Sequence, residues 1–251
     1  MIDISIHNDE IRNSILLHIP HSSTYIPDFN SFCISDNELD NEKLLSTDIA
    51  TDKIFQVDGI KHITCEFNRL FCDVERFIIG ENMDKYGRGL YYTKTINDKN
   101  LRTFNYNNYW NILTNYFLPY HDKLTNIVQS ILIENGFAII FDCHSFNAKP
   151  LKYEPTTERP EICIGIDDFH TPKYLIDHVM LHFKKYGFNV QINNPYSGTF
   201  VPIKFYQNNK NVQSIMIEIN KYLYMDDDNI LIDKKVNELN RIISELFKFS
   251  L

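Results

Sequence analysis

Three short stretches of this 251-residue chain place imidazoles, carboxylates and hydroxyls where an apolar run ends. "LLHIPHSST" (16–24) passes from Leu16, Leu17 and Ile19 into His18 and His21. "FDCHSF" (141–146) ends in Asp142, His144 and Ser145, and "MIEIN" (216–220) ends in Glu218 and Asn220. A hydrolytic zinc site takes three ligands from His and Asp or Glu and keeps one position for water. His21 and His144 are the imidazoles best placed for it, and the third ligand should be a carboxylate. "STDIATD" (46–52) offers Asp48 and Asp52, four apart and so on one face of a helix. One could bind metal while the other orients a ligand from behind. Glu218 stands apart as a possible general base.

A plainer reading competes at each position. A lone histidine at a strand end is more often a hydrogen-bonded structural residue than a ligand. Two of them beside carboxylates bring the metal reading level. His18 is separated from His21 by Pro20 and reads as packing or support. His178 and His182 are four apart, but "HVMLH" lacks the Glu of an HExxH motif, so they read as half-buried helix residues. Asp226–Asp228 reads as a solvated turn, and "TNYFLPYH" before His121 as aromatic core. In "FNRLFCDVERF" (67–77) Arg69, Asp73, Glu75 and Arg76 crowd among apolar residues. Arg69 and Asp73 could simply pair. Alternatively one arginine polarises a substrate carbonyl while another grips a carboxylate by its fork.

The elements that would position these residues follow from periodicity. Strands are predicted at 15–19, 60–67, 137–143, 161–166, 188–192 and 213–219. Residues 34–56 read as helix in two pieces, Ser46 or Thr47 capping the second and Ile49, Ile54 and Phe55 forming its apolar face. Residues 107–136 have helical period, with Pro119 as kink or first-turn residue and Gly136 as stop. Thr171 and Pro172 open a helix that ends at Gly187. Val236, Leu239, Ile242, Ile243, Leu246 and Phe247 give the last helix its stripe. Strands alternating with helices predict an α/β fold: a single three-layer αβα domain over 1–251 with a mixed, largely parallel central sheet. Sites in such sheets gather at the carboxyl ends of strands.

Composition narrows the function classes. A formal charge of −8 disfavours a broad nucleic-acid or anionic-membrane surface. Apolar runs such as 137–141 are too short to span a bilayer. Asp3, Asp9 and Glu10 precede any apolar run, unlike a secretory signal. The five cysteines contain no CxxC and lie in or near apolar stretches, so buried free thiols in a reducing cytoplasm are expected.

Six segments in order resemble one family. "PHSSTYIP" (20–27), "TDIATDKIF" (47–55), "RLFCDVER" (69–76), "FDCHSF" (141–146), "NNPYSGTF" (193–200) and "MIEINKYLYMD" (216–226) are similar to the PHSG…P, D-x-x-x-D, R-x-x-x-D-x-N-R, D-C-H-S, N-x-P-Y-x-G and E-I-N-R-x-x-Y-M elements of N-formylglutamate amidohydrolases. The resemblance implies a phosphorylase/hydrolase-like fold, similar to zinc carboxypeptidases and aspartoacylases. It implies one Zn2+, with other divalent metals able to substitute, and hydrolysis of an N-acyl amide beside a carboxylate, as in N-formylglutamate. The substrate would be a small N-acyl amino acid or a short peptide.

By that resemblance His21, Asp48 and His144 would ligate zinc, with Asp52 behind Asp48 or in its place. Glu218 would be the base and then the acid that protonates the leaving amine. Arg69 would stabilise the oxyanion and Arg76 would take the substrate carboxylate. Tyr196, Gly198 and Ser145 would line the pocket. The chain departs from the pattern at Ser23 (Gly in the family), Glu75 (Asn) and Lys221 (Arg). A carboxylate at 75 would compete with substrate for Arg76, which points to a different acylated amine or amino acid. Two alternatives stand beside this reading. One is a peptidase or deacylase of the same fold whose pocket is widened by 80–100 and 147–160. The other is an inactive zinc- or ligand-binding module. Oligomeric state is left open.

Overall fold

Alternate residues along the strands face two separate cores, and that parity sets the layers. The computed structural model describes residues 8–152, 154 and 158–248. Asp3 lies outside them, as do residues 153 and 155–157 of the 147–160 segment. The sheet order is β2-β1-β3-β6-β4-β5, from β1 (Ile15–Ile19), β2 (Lys61–Thr64), β3 (Ala138–Phe146), β4 (Ile162–Gly165), β5 (Val190–Ile192) and β6 (Val212–Asn220). β2, β1, β3 and β6 are mutually parallel. β4 runs antiparallel to β6, and β5 follows β4 in parallel. The expected mixed, largely parallel sheet is present.

On one face Ile15, Leu17, Ile139, Phe141, Ile215 and Ile217 bury against α6 (Lys173–Lys185) and α7 (Asp233–Leu246). On the other, Leu16, Ala138, Ile140 and Val212 pack under α5 (Leu118–Asn135) through Leu124, Val128 and Ile131. Helices therefore cover both faces, giving three layers; α1 (Asn8–Asn13) precedes β1 and α4 (Tyr106–Ile112) precedes α5. Pro119 sits in the first turn of α5, and Gly136 ends it with φ 78°. His178 and His182 are half-buried, each within 2.9 Å of a carbonyl of α7, and Asp226–Asp228 is an exposed turn.

Several boundaries differ from expectation. The 34–56 helix does break in two, but Ser46 closes the first piece, α2 (Asp36–Ser46), and Thr47 is its C-cap. The second, α3 (Thr51–Ile54), starts after Ala50, which adopts a left-handed φ of 65°. α6 begins one residue late, with Pro172 at the N-cap. The Thr171 hydroxyl instead donates to Ser214 O at 2.7 Å. β2 covers only the first half of 60–67. Cys65, Cys72, Cys143 and Cys163 are buried free thiols. Cys33 is exposed: its N–H pairs with Leu101 O at 2.8 Å, but its side chain is left outside the core.

Candidate active site

On the α5 side of the sheet, apolar parity gives way to polar residues toward the carboxyl ends. His18 is registered with Asp142, Asp142 with Met216, and His144 with Glu218. Registered residues of parallel strands share a face, so His18, Asp142, His144 and Glu218 project together. Three strand ends thus present chemistry at one edge, as the carboxyl-end rule requires.

His21 sits two residues beyond β1, buried at 2% exposure. Its carbonyl accepts the Asp48 N–H at 2.9 Å, which ties the "PHSS" loop to the loop after α2. The Asp48 carbonyl in turn accepts the Thr51 hydroxyl at 2.7 Å. Ala50's left-handed turn separates Asp48 from α3, so Asp48 and Asp52 do not share a helix face. Asp48 is buried beside the histidines and Asp52 is exposed. Asp48 is therefore the carboxylate brought to the site, and Asp52 is not behind it.

Ring orientation follows from the partners. His21 Nε2 lies 2.8 Å from Asp73 Oδ1, which fixes the proton there and leaves Nδ1 bare. That buried Nδ1 has no hydrogen-bond partner; its nearest polar neighbours are Glu75 Oε2 at 3.5 Å and Asp48 Oδ2 at 3.7 Å. His144 Nε2 lies 3.1 Å from Asp142 Oδ1 and 3.2 Å from Glu75 Oε1, while its Nδ1 is 3.0 Å from Asp48 Oδ2. His21, Asp48 and His144 bring one ligand atom each within 4.8 Å of one another. Burial opposes charge on Asp48, but contacts with His144 and His21 overcome it and hold the carboxyl well below its usual range. Burial likewise disfavours charge on His144, and the nearby Glu75 and Asp142 carboxylates reverse that, raising its pKa well above the ordinary value.

Asp73 is a hub that sequence reading saw only as a partner for Arg69. Fully buried, it accepts from Arg69 Nη2 at 2.8 Å, Tyr92 Oη at 2.7 Å, Glu75 N at 3.1 Å and His21 Nε2. Burial raises its pKa; Arg69, Arg76 and His21 outweigh that and lower it strongly. Arg76 Nε is 3.5 Å from Asp73 and its guanidinium also donates to Arg88 O and Glu75 O. The pairing of Arg69 with Asp73 holds, yet both arginines still line the cavity. Glu75 does not turn toward the Arg76 guanidinium as expected. Its carboxylate contacts the imidazoles of His144, His21 and His18.

The cavity measures about 550 Å³ and is lined by His21, Asp48, His144, Glu218, Arg69, Arg76, Ser145, Tyr196 and Gly198, so these nine candidates meet there, whereas Asp52 and Asn220 do not line it. Burial pushes Glu218 up to about 8, and its Oε2 has no hydrogen-bond partner. Burial also lowers Lys221 to about 8; its Nζ donates to Asn147 Oδ1 at 2.9 Å. Gly198 has φ 87° and open space at its absent Cβ, so its backbone conformation is the reason for glycine. Asn220 serves the scaffold, donating to Pro160 O at 3.0 Å. Arg88 and Glu154 line the cavity without any sequence signal. Arg88 is held by Glu42 at 3.0 Å, and Glu154 by Arg159 and Tyr196. Met83 and Tyr92 from 80–100, and Asn147 and Leu151 from 147–160, complete the wall.

Comparison with known proteins gives a family and a fold. Residues 13–225 match the family described as N-formylglutamate amidohydrolase. The crystal structure of N-formylglutamate amidohydrolase from Ralstonia eutropha JMP134 superposes with a TM-score of 0.80 at 19% identity, covering 93% of this chain and 91% of that one. Gene product Atu2144 from Agrobacterium tumefaciens superposes at 0.70 and 17% identity, covering 96% and 91%. Comparison with curated proteins gives no match.

Proposed function

The chain belongs to the N-formylglutamate amidohydrolase family, and from that premise we propose that it is a zinc-dependent hydrolase of an N-acyl amide, N-formyl amino acids such as N-formylglutamate being the first substrates to test. One observation carries the metal reading: two buried imidazoles, each backed by a carboxylate, turn one nitrogen apiece toward a third carboxylate, with one ligand atom of each residue within 4.8 Å of the others. His21 Nδ1 has no proton partner. His144 Nδ1 faces Asp48 Oδ2 at 3.0 Å, so a cation bound there would take the place of the proton this pair shares in the metal-free fold. The donor set of two imidazoles and one carboxylate suits zinc. His21, Asp48 and His144 would hold the ion, with Asp73 and Asp142 orienting the rings. Zinc there supplies Lewis acidity that polarises a carbonyl and acidifies water.

The remaining steps fall to the protein. Glu218, poised near neutrality, takes the proton of the attacking water at its carboxylate and delivers it to the departing nitrogen. Arg69, held rigid by Asp73, faces the developing oxyanion. Arg76 takes a substrate carboxylate, with Ser145, Tyr196 and Gly198 shaping the pocket. The four buried free thiols support a reducing, cytoplasmic setting. No described helix is long and apolar enough to cross a membrane.

A panel of N-formyl, N-acetyl and peptide substrates, assayed with zinc-loaded enzyme, tests the reading. Fastest hydrolysis of an N-formyl amino acid is expected; no turnover of any member would overturn it. A second reading, a deacylase for a larger substrate, draws on the cavity volume, which suits a ligand bigger than a formyl amino acid. Preference for peptides or longer acyl groups in the same panel would select it.

A further inference from the structure

On the side of His144 away from Asp48, a second set of ligand atoms converges. His18 Nδ1 lies 2.8 Å from Asp142 Oδ1 and 3.6 Å from Glu75 Oε1, and one atom from each of the three residues falls within 4.8 Å of the others. Ligands of a tetrahedral ion with bonds of about 2.0–2.1 Å stand about 3.3–3.4 Å apart, which these separations bracket. We propose that His18, Glu75 and Asp142 form a second divalent-cation site, joined to the His21–Asp48–His144 site through the Glu75 carboxylate.

Burial makes an ion worth having. His18 is fully buried and the side chains of Asp142 and Glu75 are 3% and 11% exposed. Asp142 Oδ1 and Glu75 Oε1 lie 3.1 and 3.2 Å from one nitrogen, His144 Nε2, so two carboxylates crowd together in a low-dielectric interior, and a divalent cation would offset their repulsion beyond what the single His144 charge supplies. The fixed cations nearby are committed elsewhere: the ion pairs of Arg69 and Arg76 both go to Asp73. Asp142 and Glu75 find imidazoles, plus the Phe200 N–H at 2.9 Å from Asp142 Oδ2. In the metal-free fold His18 Nδ1–H donates to Asp142 Oδ1 at 2.8 Å, while Nε2 has no hydrogen-bond partner, so an ion that takes Nδ1 leaves Nε2 free to carry the ring's proton.

The residues also sit where an ion can arrive and stay. His18, next to the carboxyl end of β1, has Phe200 at 4.9 Å and Tyr120 at 6.0 Å, ring to ring, so the imidazole is held in place. Asp142 and Glu75 line the cavity, which gives an entry path. Glu75 turns Oε1 toward His18 and Oε2 toward the bare His21 Nδ1 at 3.5 Å, the disposition of a carboxylate bridging two ions. Residue 75 is thereby given a use that pairing with Arg76 would not supply.

The test counts metal on the full chain. Protein stripped with a chelator is dialysed against zinc chloride and assayed by elemental analysis, with circular dichroism to confirm the fold. The wild type is expected to hold two zinc ions, and Glu75→Gln to hold one, with affinity for the second ion lowered at least about tenfold. His18→Gln provides the same readout should the Glu75→Gln variant misfold. One ion in the wild type, or two in a folded Glu75→Gln, overturns the second site and leaves the proposed hydrolase intact. No bound ion overturns both metal assignments, whereas two ions without turnover in the substrate panel would remove only the hydrolase reading.

Discussion

Replacing Asp73 with Asn tests whether the site is held from behind. The carboxylate accepts hydrogen bonds on both oxygens: His21 Nε2 and Glu75 N on Oδ1, Arg69 and Tyr92 on Oδ2. An amide keeps one acceptor oxygen and turns donors toward the other pair, so at least two donors lose their partner. Each hydrogen bond to a charged group is worth about 1.5–3 kcal/mol, and breaking a buried ion pair costs about 3–5 kcal/mol. Asp73→Asn should therefore lower unfolding free energy by about 3–5 kcal/mol at pH 7. It should also weaken zinc about 10–100-fold by freeing the His21 ring to change tautomer. The stability loss has a definite pH dependence. Because the Asp73 pKa is depressed in the fold, the unfolded chain binds its proton first as pH drops below about 3.9. The wild type then loses the stabilisation, and the gap to the variant narrows. Urea unfolding at pH 7 and at pH 3–4, with a competitive zinc titration, measures all three effects. A variant within 1 kcal/mol of wild type and threefold in zinc affinity would refute the reasoning.

Glu218→Gln should cut turnover about 10²–10⁴-fold with zinc content unchanged; near-normal turnover would remove Glu218 from the mechanism. In the metal-free chain the same change should stabilise. Since the fold raises the Glu218 pKa to about 8, the native state binds its proton more tightly and stability falls as pH rises from about 4.3 toward 8. The Gln variant should therefore gain about 4–5 kcal/mol at pH 8 and nothing below pH 4, read by denaturant unfolding. A Cβ on Gly165 would lie 2.2 Å from Gly198 O and 2.4 Å from Met216 Cε. Gly165→Ala should cost about 1–3 kcal/mol and raise KM by shifting the Tyr196–Phe200 wall; an unchanged KM would show that the wall tolerates the shift.

Strands and most helices were legible because each buried strand announces itself as an apolar run and each long helix as a stripe. His21, His144 and Glu218 were legible because polar residues at the ends of such runs are rare without a purpose. The direction of β4 was not, since "ICIG" reads the same in either orientation and its partner is far along the chain. The choice between Asp48 and Asp52 turned on a left-handed Ala50, which no glycine or asparagine flagged. Asp73 looked like half of an ordinary i,i+4 pair with Arg69. Its grip on His21 and Tyr92 comes from tertiary contacts that local spacing cannot express. Arg88 with Glu42 is the same case at longer range.

The reversal of β4 and β5 divides the site into two separately adjustable halves. The metal-binding and proton-handling groups stand at the exits of β1, β3 and β6. The opposite wall is hung from the chain leading into β4 and from the segment leaving β5, which crosses the sheet to pin Thr199 on Ser214 and Phe200 on Asp142. Lengthening, shortening or exchanging 147–160 would thus reshape what enters the cavity while leaving the three parallel strands untouched. A library confined to that segment could seek new acyl or amine specificities from a centre whose chemistry stays constant.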